Sequence, residues 1–347
     1  MIPVIRALQQ MDGVTCNILN TGQHLEMVND LERTFNITPD WRFEIMKSTQ
    51  GLNDILAVIM QKVIALFRKY RPDIVVLQGD TTTVLSVGLA CFHEQITVAH
   101  VEAGLRSGNI FSPFPEEFNR RSVSSFANYN FAPTQQAAAN LREEGVDDRS
   151  IWITGNTVLD AVKYFHEGGL IDDVAQSNRR QILVTAHRRE NLKFGISSIC
   201  KAITQIIDEF SDIHFLWPLH PNPLIKDAVK EQLSDNQRVS LVDPLDYKDL
   251  LTAISASYIV WTDSGGIQEE APSFSKPILV LRNETERPEV IESGFGTLVS
   301  TDVKRIVAET RILLHSSDEY QKRVSAPNPF GDGKAGQRIA EILAHHS

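Results

Sequence analysis

Short apolar runs alternate with longer segments of helical periodicity along almost the whole chain, and this alternation restricts the possible folds more than any other feature. The run DIVVLQG at residues 73–79 is typical of a strand that is buried on both faces. Residues 52–70 before it carry apolar side chains at helical spacing. Buried strands separated by helices form parallel β-α-β units. The sequence therefore predicts an α/β fold, although it begins on a helix, at residues 1–10, rather than on a strand.

The length of the chain indicates two such domains. A sequence of 347 residues is longer than one hydrophobic core usually organises. The alternation loosens in the polar stretch at residues 172–180, and a second series of strands begins at residues 181–185. We therefore predict two Rossmann-like domains that face each other across a cleft, with the ligand at the carboxyl ends of the strands.

Charge and cysteine content narrow the class of protein. The net charge of −10, without a compensating basic run, disfavours a nucleic-acid partner. The three cysteines, Cys16, Cys91 and Cys200, lack the spacing of a zinc site or a disulfide framework. The sequence shows neither a signal peptide nor an apolar run of the roughly 18 residues that span a membrane. These features predict a cytoplasmic protein without a membrane partner.

Carboxylates follow two predicted strands of the first half. Glu102 stands where the strand at residues 97–101 should end, and Asp80 follows the run at residues 73–79. Strand ends of this kind are where open α/β sheets bind their ligands. The alternative for Asp80 is that its side chain caps the next helix.

A third acidic position follows in the segment SPFPEEFNRR at residues 112–121. Pro115 at a helix start, with Glu116 and Glu117 in the first turn, is a common N-terminal signal. The two glutamates are therefore either helix-stabilising residues or part of the same acidic site. Arg106, between these acids, is a candidate cation for an anionic ligand.

The second half carries basic and glycine-rich strand ends. His187 and Arg188 follow the strand at residues 181–185, and His220 follows another strand; each suits an anionic ligand or, for histidine, proton transfer. Singly, such histidines are more often structural.

The turn TDSGGIQEEAP at residues 262–272 is the most specific of these strand ends. Paired glycines at Gly265 and Gly266 let backbone amides after Ser264 approach a phosphate closely. Glu270 is predicted to lie about two turns into the following helix, within reach of a ribose hydroxyl. Arg282 and Arg287 either add positive charge to this strand end or pair with neighbouring glutamates.

Several segments, in this order, resemble the non-hydrolysing UDP-N-acetylglucosamine 2-epimerases. They are QGDTTT (78–83), HVEAGLRSG (100–108) followed by SPFPEEFNRR (112–121), TAHRREN (185–191), TDSGGIQEEAP (262–272) and ETERPEV (284–290). The resemblance implies a GT-B-like fold, as in UDP-glycosyltransferases and glycogen phosphorylase, whose last helix returns to the first domain. It predicts a first domain of residues 1–154 plus 331–347 and a UDP-binding domain of residues 155–330.

The same resemblance implies reversible C2 epimerisation of UDP-GlcNAc to UDP-ManNAc. UDP is eliminated to give 2-acetamidoglucal and is then added back, with neither a metal nor another cofactor. By motif, the catalytic residues would be Asp80, Glu102, Glu116 and His187. The UDP-sugar would be bound by Arg106, Arg188, His220, Ser264, Gly265, Gly266, Glu270 and Arg287. A homodimer and a role in cell-surface polysaccharide synthesis are further implications of the family.

The sequence departs from the family pattern in three places. The family begins with a strand and a GTRPE-type loop, which would precede Met1; without that strand, a parallel sheet would be interrupted. Leu245 and Leu250 stand where a uracil-holding Gln and an aromatic residue are usual. The segment around Gln23 and His24 only partly matches the allosteric site of bacterial members.

Three alternatives stay open from the sequence. A nucleotide-sugar glycosyltransferase would share the glycine turn but has no need of the three acids. A hydrolysing epimerase, which releases ManNAc and UDP, would keep the motifs almost unchanged. A nucleotide-binding remnant without activity would follow if the missing strand and loop were essential.

Overall fold

The chain consists of two compact units. The computed structural model describes residues 1–23, 25–45, 50–171, 179–186 and 195–346. The first unit comprises Met1–Ala161 and Gly331–Ser347, and the second comprises Val162–Phe330. Both units are α/β with parallel strands, so the predicted fold class is confirmed.

The first unit contains six of the described strands. They are β1 (Leu19–Asn20), β2 (Trp41–Arg42), β3 (Ile74–Gln78), β4 (Thr97–Val101), β5 (Tyr129–Ala132) and β6 (Ile151–Ile153). Its helices are α1 (Ile2–Gln9), α2 (Leu25–Thr34), α3 (Leu52–Phe67), α4 (Thr82–His93), α5 (Glu116–Ser124), α6 (Gln135–Glu143), α7 (Thr157–Glu167), which runs on into the second unit, and α15 (Ala335–His346).

The strands of the first unit are divided between two sheets. The sheet β3-β4-β5-β6 is parallel throughout, and β1 pairs only with β2. Strand β3 is therefore an edge strand of the described sheet. The apolar residues at 14–20 predict a strand from sequence, but this prediction is wrong for most of that range, because the described pairing involves only Leu19 and Asn20.

The C-terminal helix belongs to the first unit. Asp160 accepts hydrogen bonds from the backbone N–H groups of Ala335 (3.1 Å) and Gly336 (2.8 Å) at the start of α15. A side chain at Gly336 would lie 2.8 Å from the backbone of Pro3, so glycine permits the close approach of α15 to α1. Ile339, Ala340 and Leu343 share one hydrophobic core with the first helix and the sheet.

The second unit is built on one six-stranded parallel sheet. Its strands are β7 (Arg180–Thr185), β8 (Ile213–Pro218), β9 (Val239–Val242), β10 (Ser257–Thr262), β11 (Ile278–Val280) and β12 (Gly296–Leu298). Its other helices are α8 (Gly195–Glu209), α9 (Pro223–Leu233), α10 (Tyr247–Ala256), α11 (Gly265–Glu270), α12 (Pro288–Glu292), α13 (Val303–His315) and α14 (Ser317–Val324).

The strand order β12-β11-β10-β7-β8-β9 makes this sheet doubly wound. The chain runs outward from β7 in one direction and from β10 in the other, so the switch point lies between these two strands. Buried aromatic and aliphatic residues, such as Trp217 and Trp261, fill the core against α8 and α13. The sequence missed β12, because its three residues lack the long apolar run of the other strands. None of the described helices combines the length and apolar character needed to cross a membrane.

Candidate functional site

The turn after β3 presents Asp80 rather than using it as a helix cap. The side chain of Thr81 accepts the capping hydrogen bond from the N–H of Val84 at the start of α4. The capping alternative for Asp80 is therefore wrong. Its carboxylate is instead partly exposed at the carboxyl end of the strand.

Three residues from other elements fix this turn. Asn119 of α5 donates its amide N–H to the carbonyl oxygen of Asp80 at 2.8 Å. Arg120, from the same helix, forms an ion pair of 2.6 Å with the Oδ2 atom of Asp80. On the other side of the turn, the Nε2 atom of His100 lies 2.8 Å from the carbonyl oxygen of Gly79. The backbone and the side chain of Asp80 are thus held separately.

His100 acts here as a neutral donor. It is completely buried in β4, and burial lowers its pKa to about 4, although its hydrogen bond to Gly79 partly opposes that shift. Because a carbonyl oxygen only accepts hydrogen bonds, the Nε2 atom must carry the proton. The imidazole therefore orders the turn and does not add a charge to it near neutral pH.

Glu102 has a strained backbone. It follows the last residue of β4 and has a φ of 64°, in the left-handed region that non-glycine residues avoid. Its Oε2 atom lies 3.4 Å from the amide nitrogen of Gln78, at the end of the neighbouring strand β3. Strain of this kind is typical of functional sites, where the surroundings hold a residue in an unfavourable conformation.

The adjacent glutamates of α5 have opposite environments. Glu116 is the first residue of the helix, where the macrodipole favours a negative charge. Glu117 is completely buried, accepts a hydrogen bond of 3.1 Å from the N–H of Ser107, and lies 3.5 Å from the Nη1 atom of Arg120. Glu116 lies three and four residues before Asn119 and Arg120, the two residues of α5 that contact Asp80.

The structure places Arg106 in an ion pair. Its guanidinium contacts both carboxylate oxygens of Glu144, at 2.9 and 2.6 Å, and Arg121 shares the same glutamate at 3.0 Å. Arg106 is therefore paired with the C-cap residue of α6, and its Nη1 atom also donates a hydrogen bond to the carbonyl oxygen of Leu105.

In the second unit, the Ser-Gly-Gly turn lies at the switch point of the sheet. It follows β10, and the Thr262 hydroxyl at the end of that strand contacts the Thr185 hydroxyl at the end of β7 (2.6 Å). The same Thr262 oxygen accepts the N–H of Ser264 at 3.0 Å. Ligands of doubly wound sheets bind at such a point.

Neither glycine of this turn is required by the fold. Neither has a positive φ. A Cβ atom added at Gly265 would meet nothing closer than the Arg287 guanidinium at 3.7 Å, and one added at Gly266 would lie 4.0 Å from the Ser264 hydroxyl. The missing side chains therefore leave space beside the backbone and beside a cation.

The sequence left open whether Arg287 adds positive charge to the strand end or pairs with a glutamate, and in the structure it does both. Its guanidinium lies beside Gly265 and also pairs with Glu269, a buried carboxylate of α11. Arg282, in contrast, pairs with Glu286 at 3.4 Å.

Glu270 is buried at the end of a short helix. Helix α11 has six residues and Glu270 is the last of them, so it lies a little under two turns into the helix, close to the predicted position; a 3-10 turn, Ala271–Phe274, follows it. Burial raises the pKa of Glu270 to about 8; the nearby Tyr247 hydroxyl opposes this shift, and the Glu269 carboxylate adds to it.

Of the histidines singled out from the sequence, the structure describes His220 but not His187 or His24. His220 is exposed after β8, and its Nδ1 atom accepts the N–H of Asn222 at 3.1 Å. His187 and Arg188 lie outside the described residues, as does His24.

Sequence reasoning assigned no role to four residues that contact the acids or their turn, and it named Glu117 only as one of two candidate glutamates. The four residues are Gln78, His100, Asn119 and Arg120. The sequence contained one indication of this buried face: Glu117, Arg120 and Ser124 recur at helical spacing and therefore lie on one face of α5. That face is buried, although its polar composition is usual for a solvated one.

Comparisons with known proteins show the family of the chain. The family model described as UDP-N-acetylglucosamine 2-epimerase matches residues 6–344. The UDP-N-acetylglucosamine 2-epimerase of Bacillus subtilis (strain 168) is 42% identical over 350 residues, which are 100% of this chain and 92% of the relative. That of Escherichia coli (strain K12) is 40% identical over 357 residues, covering 100% of this chain and 95% of the relative.

Solved structures give the same result. The UDP-GlcNAc 2-epimerase of Neisseria meningitidis, bound to UDP-GlcNAc, has a TM-score of 0.92 at 38% identity, covering 99% of this chain and 96% of that one. The Methanocaldococcus jannaschii enzyme in complex with UDP-GlcNAc and UDP has a TM-score of 0.82 at 31% identity, covering 99% of this chain and 95% of that one. The chain therefore belongs to the UDP-N-acetylglucosamine 2-epimerase family.

Proposed function

We propose that the protein interconverts UDP-GlcNAc and UDP-ManNAc. The observation that carries this proposal is the acidic cluster of the first unit, in which a strained Glu102 and an anchored Asp80 follow neighbouring strands. Family membership supplies the substrate class, because the relatives in question are UDP-GlcNAc 2-epimerases.

The reaction breaks the C2–H bond and the bond between C1 and the UDP oxygen. A carboxylate base takes the C2 proton, UDP departs with the bonding electrons, and 2-acetamidoglucal remains. UDP then adds back to C1 while an acid delivers a proton to the opposite face of C2. Two carboxyl groups in different environments suit these opposite roles, since environment separates their proton affinities.

We assign the proton transfers to Asp80 and Glu116, with Glu102 positioning the sugar or sharing the transfers. Their separate positions support this assignment: Asp80 follows β3, Glu102 follows β4, and Glu116 begins α5. His187 and Arg188 are proposed to stabilise the charge on the departing diphosphate. Arg106, already paired with Glu144, would have to leave that partner in order to bind the substrate.

The second unit is proposed to bind UDP. The open space beside Gly265 and Gly266 and the adjacent Arg287 guanidinium support a diphosphate at this turn. Ser264 and Glu270 would contribute to the same nucleotide, and His220 is a further candidate. We also retain the predicted domain ranges, the homodimer, the cytoplasmic location and the role in surface-polysaccharide synthesis as proposals.

One experiment separates the candidate activities. The purified protein is incubated with UDP-GlcNAc in D2O, and products are followed by NMR and mass spectrometry. Epimerisation gives UDP-ManNAc and places deuterium at C2 of both nucleotide sugars. Free ManNAc with UDP would indicate a hydrolysing epimerase, and sugar transfer without deuterium at C2 a glycosyltransferase. An unchanged substrate would overturn both epimerase activities.

A further inference from the structure

We infer that Glu117 and Arg120 are positioning residues that hold Asp80 in its reactive orientation. This inference rests on the proposed function, because it assigns to Asp80 a part in proton transfer. It concerns two residues to which the proposed mechanism gives no role, and its basis is a series of contacts between Ser107, Glu117, Arg120 and Asp80.

The first step is the burial of the pair. Glu117 is 0% exposed and Arg120 is 7% exposed, yet both carry charges. Within the described part of the chain, the Oε1 atom of Glu117 and the Nε and Nη1 atoms of Arg120 have no hydrogen-bond partner. Buried ion pairs of this kind rarely stabilise a fold more than apolar side chains of similar volume would. Stability alone therefore gives a weak reason for these two charges.

The second step is the direction of the contacts. Arg120 and Glu117 lie three residues apart on α5, so their side chains share one helix face. Glu117 accepts a hydrogen bond from the backbone N–H of Ser107. Arg120 lies between the two carboxylates: it contacts Glu117 on one side and the Oδ2 atom of Asp80, at 2.6 Å, on the other. The sequence of contacts runs from a buried anchor, through a buried cation, to a partly exposed carboxylate.

The third step is that the backbone of Asp80 is already fixed without Arg120. Asn119 holds the Asp80 carbonyl, and His100 holds the Gly79 carbonyl. Arg120 is thus not needed to form the turn. Its contact determines the rotamer of the carboxylate, and it engages one carboxylate oxygen, so that the other can point to a substrate.

A positioning role predicts a particular kinetic result. If Arg120 orients Asp80, its loss slows the chemical step and leaves substrate affinity nearly unchanged, because a small misplacement of a catalytic group costs about 100-fold in rate. If Arg120 instead binds the substrate itself, its loss raises KM.

The test uses Arg120→Met, Arg120→Lys and Glu117→Gln in the full chain. Arg121→Met is the matched control, since Arg121 is the next residue of the same helix and is half exposed. The kcat and KM for UDP-GlcNAc epimerisation are measured together with the thermal midpoint. We expect Arg120→Met to lower kcat by about 100-fold with KM changed less than about threefold. Arg120→Lys should recover roughly tenfold, since it keeps the charge but loses the fork geometry.

Glu117→Gln should lower kcat by a smaller factor, roughly tenfold, because Arg120 keeps its contact with Asp80 but loses its charged anchor. The control should keep both constants. An Arg120→Met variant that changes only KM, or one whose kcat loss Lys does not relieve, would overturn the inference. If Arg120→Met does not fold, the Glu117→Gln variant becomes the test of the inference. An unchanged kcat in Glu117→Gln overturns the inference, and a lowered kcat at constant KM supports it. An inactive wild-type protein would overturn the proposed function itself, and the inference with it.

Discussion

The two units present their candidate ligand groups in different ways. In the first unit, charged side chains are held by other side chains: Arg120 fixes Asp80, and Gln78 lies against a strained Glu102. In the second unit, the turn at Ser264, Gly265 and Gly266 offers mainly backbone and open space. The side-chain contacts of the first unit limit the positions from which its acids can take or deliver a proton. The glycine turn of the second unit allows a ligand to approach the backbone closely but supplies no group for proton transfer.

This difference indicates a division of work. Catalysis depends on groups whose geometry is set before the substrate arrives, and the first unit shows that kind of restraint. Binding of a diphosphate depends on accessible amides and a nearby cation, and the second unit shows those. The following predictions test whether the division holds.

The largest expected effect concerns turnover. Asp80→Asn should lower kcat by roughly 1,000-fold, because it removes a group that accepts or delivers a proton. The affinity for UDP, measured by calorimetry, should change by less than about threefold if the second unit binds the nucleotide. Asp73→Asn, the same chemical change at the opposite end of β3, is the control and should leave both quantities unchanged. A parallel loss of UDP affinity in Asp80→Asn would contradict the division.

The next effect concerns the stability of the second unit and its dependence on pH. Burial raises the pKa of Glu270 from 4.5 to about 8, so the folded state retains a proton that the unfolded state releases. This stabilising contribution is complete below pH 4.5 and is lost as the pH rises through about 8.

Glu270→Gln should therefore be about 2 kcal/mol more stable than the wild type at pH 9, with little difference at pH 5. Urea unfolding at both pH values measures this, and Glu292→Gln, at an exposed position, is the control. A constant difference between the two pH values would show that Glu270 does not titrate in this range.

A smaller effect is expected at the glycine turn. Gly266→Ala should weaken UDP binding about tenfold, because the added methyl group occupies the space beside the backbone. It should leave the thermal midpoint unchanged or slightly higher, since the nearest atom to the new Cβ is the Ser264 hydroxyl oxygen at 4.0 Å, an ordinary contact without a clash. Unchanged UDP affinity would mean that the missing side chain serves no ligand.

The smallest effect concerns the strain at Glu102. Glu102→Gly should be about 1 kcal/mol more stable than Glu102→Gln, because glycine adopts a positive φ without the steric cost that Gln retains. Both variants should lose activity. Chemical denaturation compares the two, and equal stabilities would show that the left-handed conformation stores no strain.

The sequence predicted the strand ends well and the contacts between them poorly. Asp80 and Glu102 follow apolar runs long enough to be recognised as buried strands, so their positions at the sheet edge could be expected. The ion pair between Asp80 and Arg120 joins distant segments and depends on how α5 packs beside α4, which local patterns do not specify. The same limit applies to Glu116 and Glu117, because only the packing decides which of two adjacent glutamates is buried.

The second unit shows a related limit. The glycine turn was recognisable from the strand that precedes it, but the residue at which the following helix ends was not predicted. Pro272 in the following segment has no N–H group to continue the α-helical hydrogen bonds, and a 3-10 turn follows α11 there.

The attachment of α15 to the first unit has a consequence for synthesis on the ribosome. The amide groups at the start of this helix bind Asp160, and its apolar face completes a core with α1. The intervening unit, Val162–Phe330, leaves the exit tunnel earlier and can fold while the first-made segment still lacks its final helix. The part of the protein that is translated first is therefore expected to be the last to reach its native state.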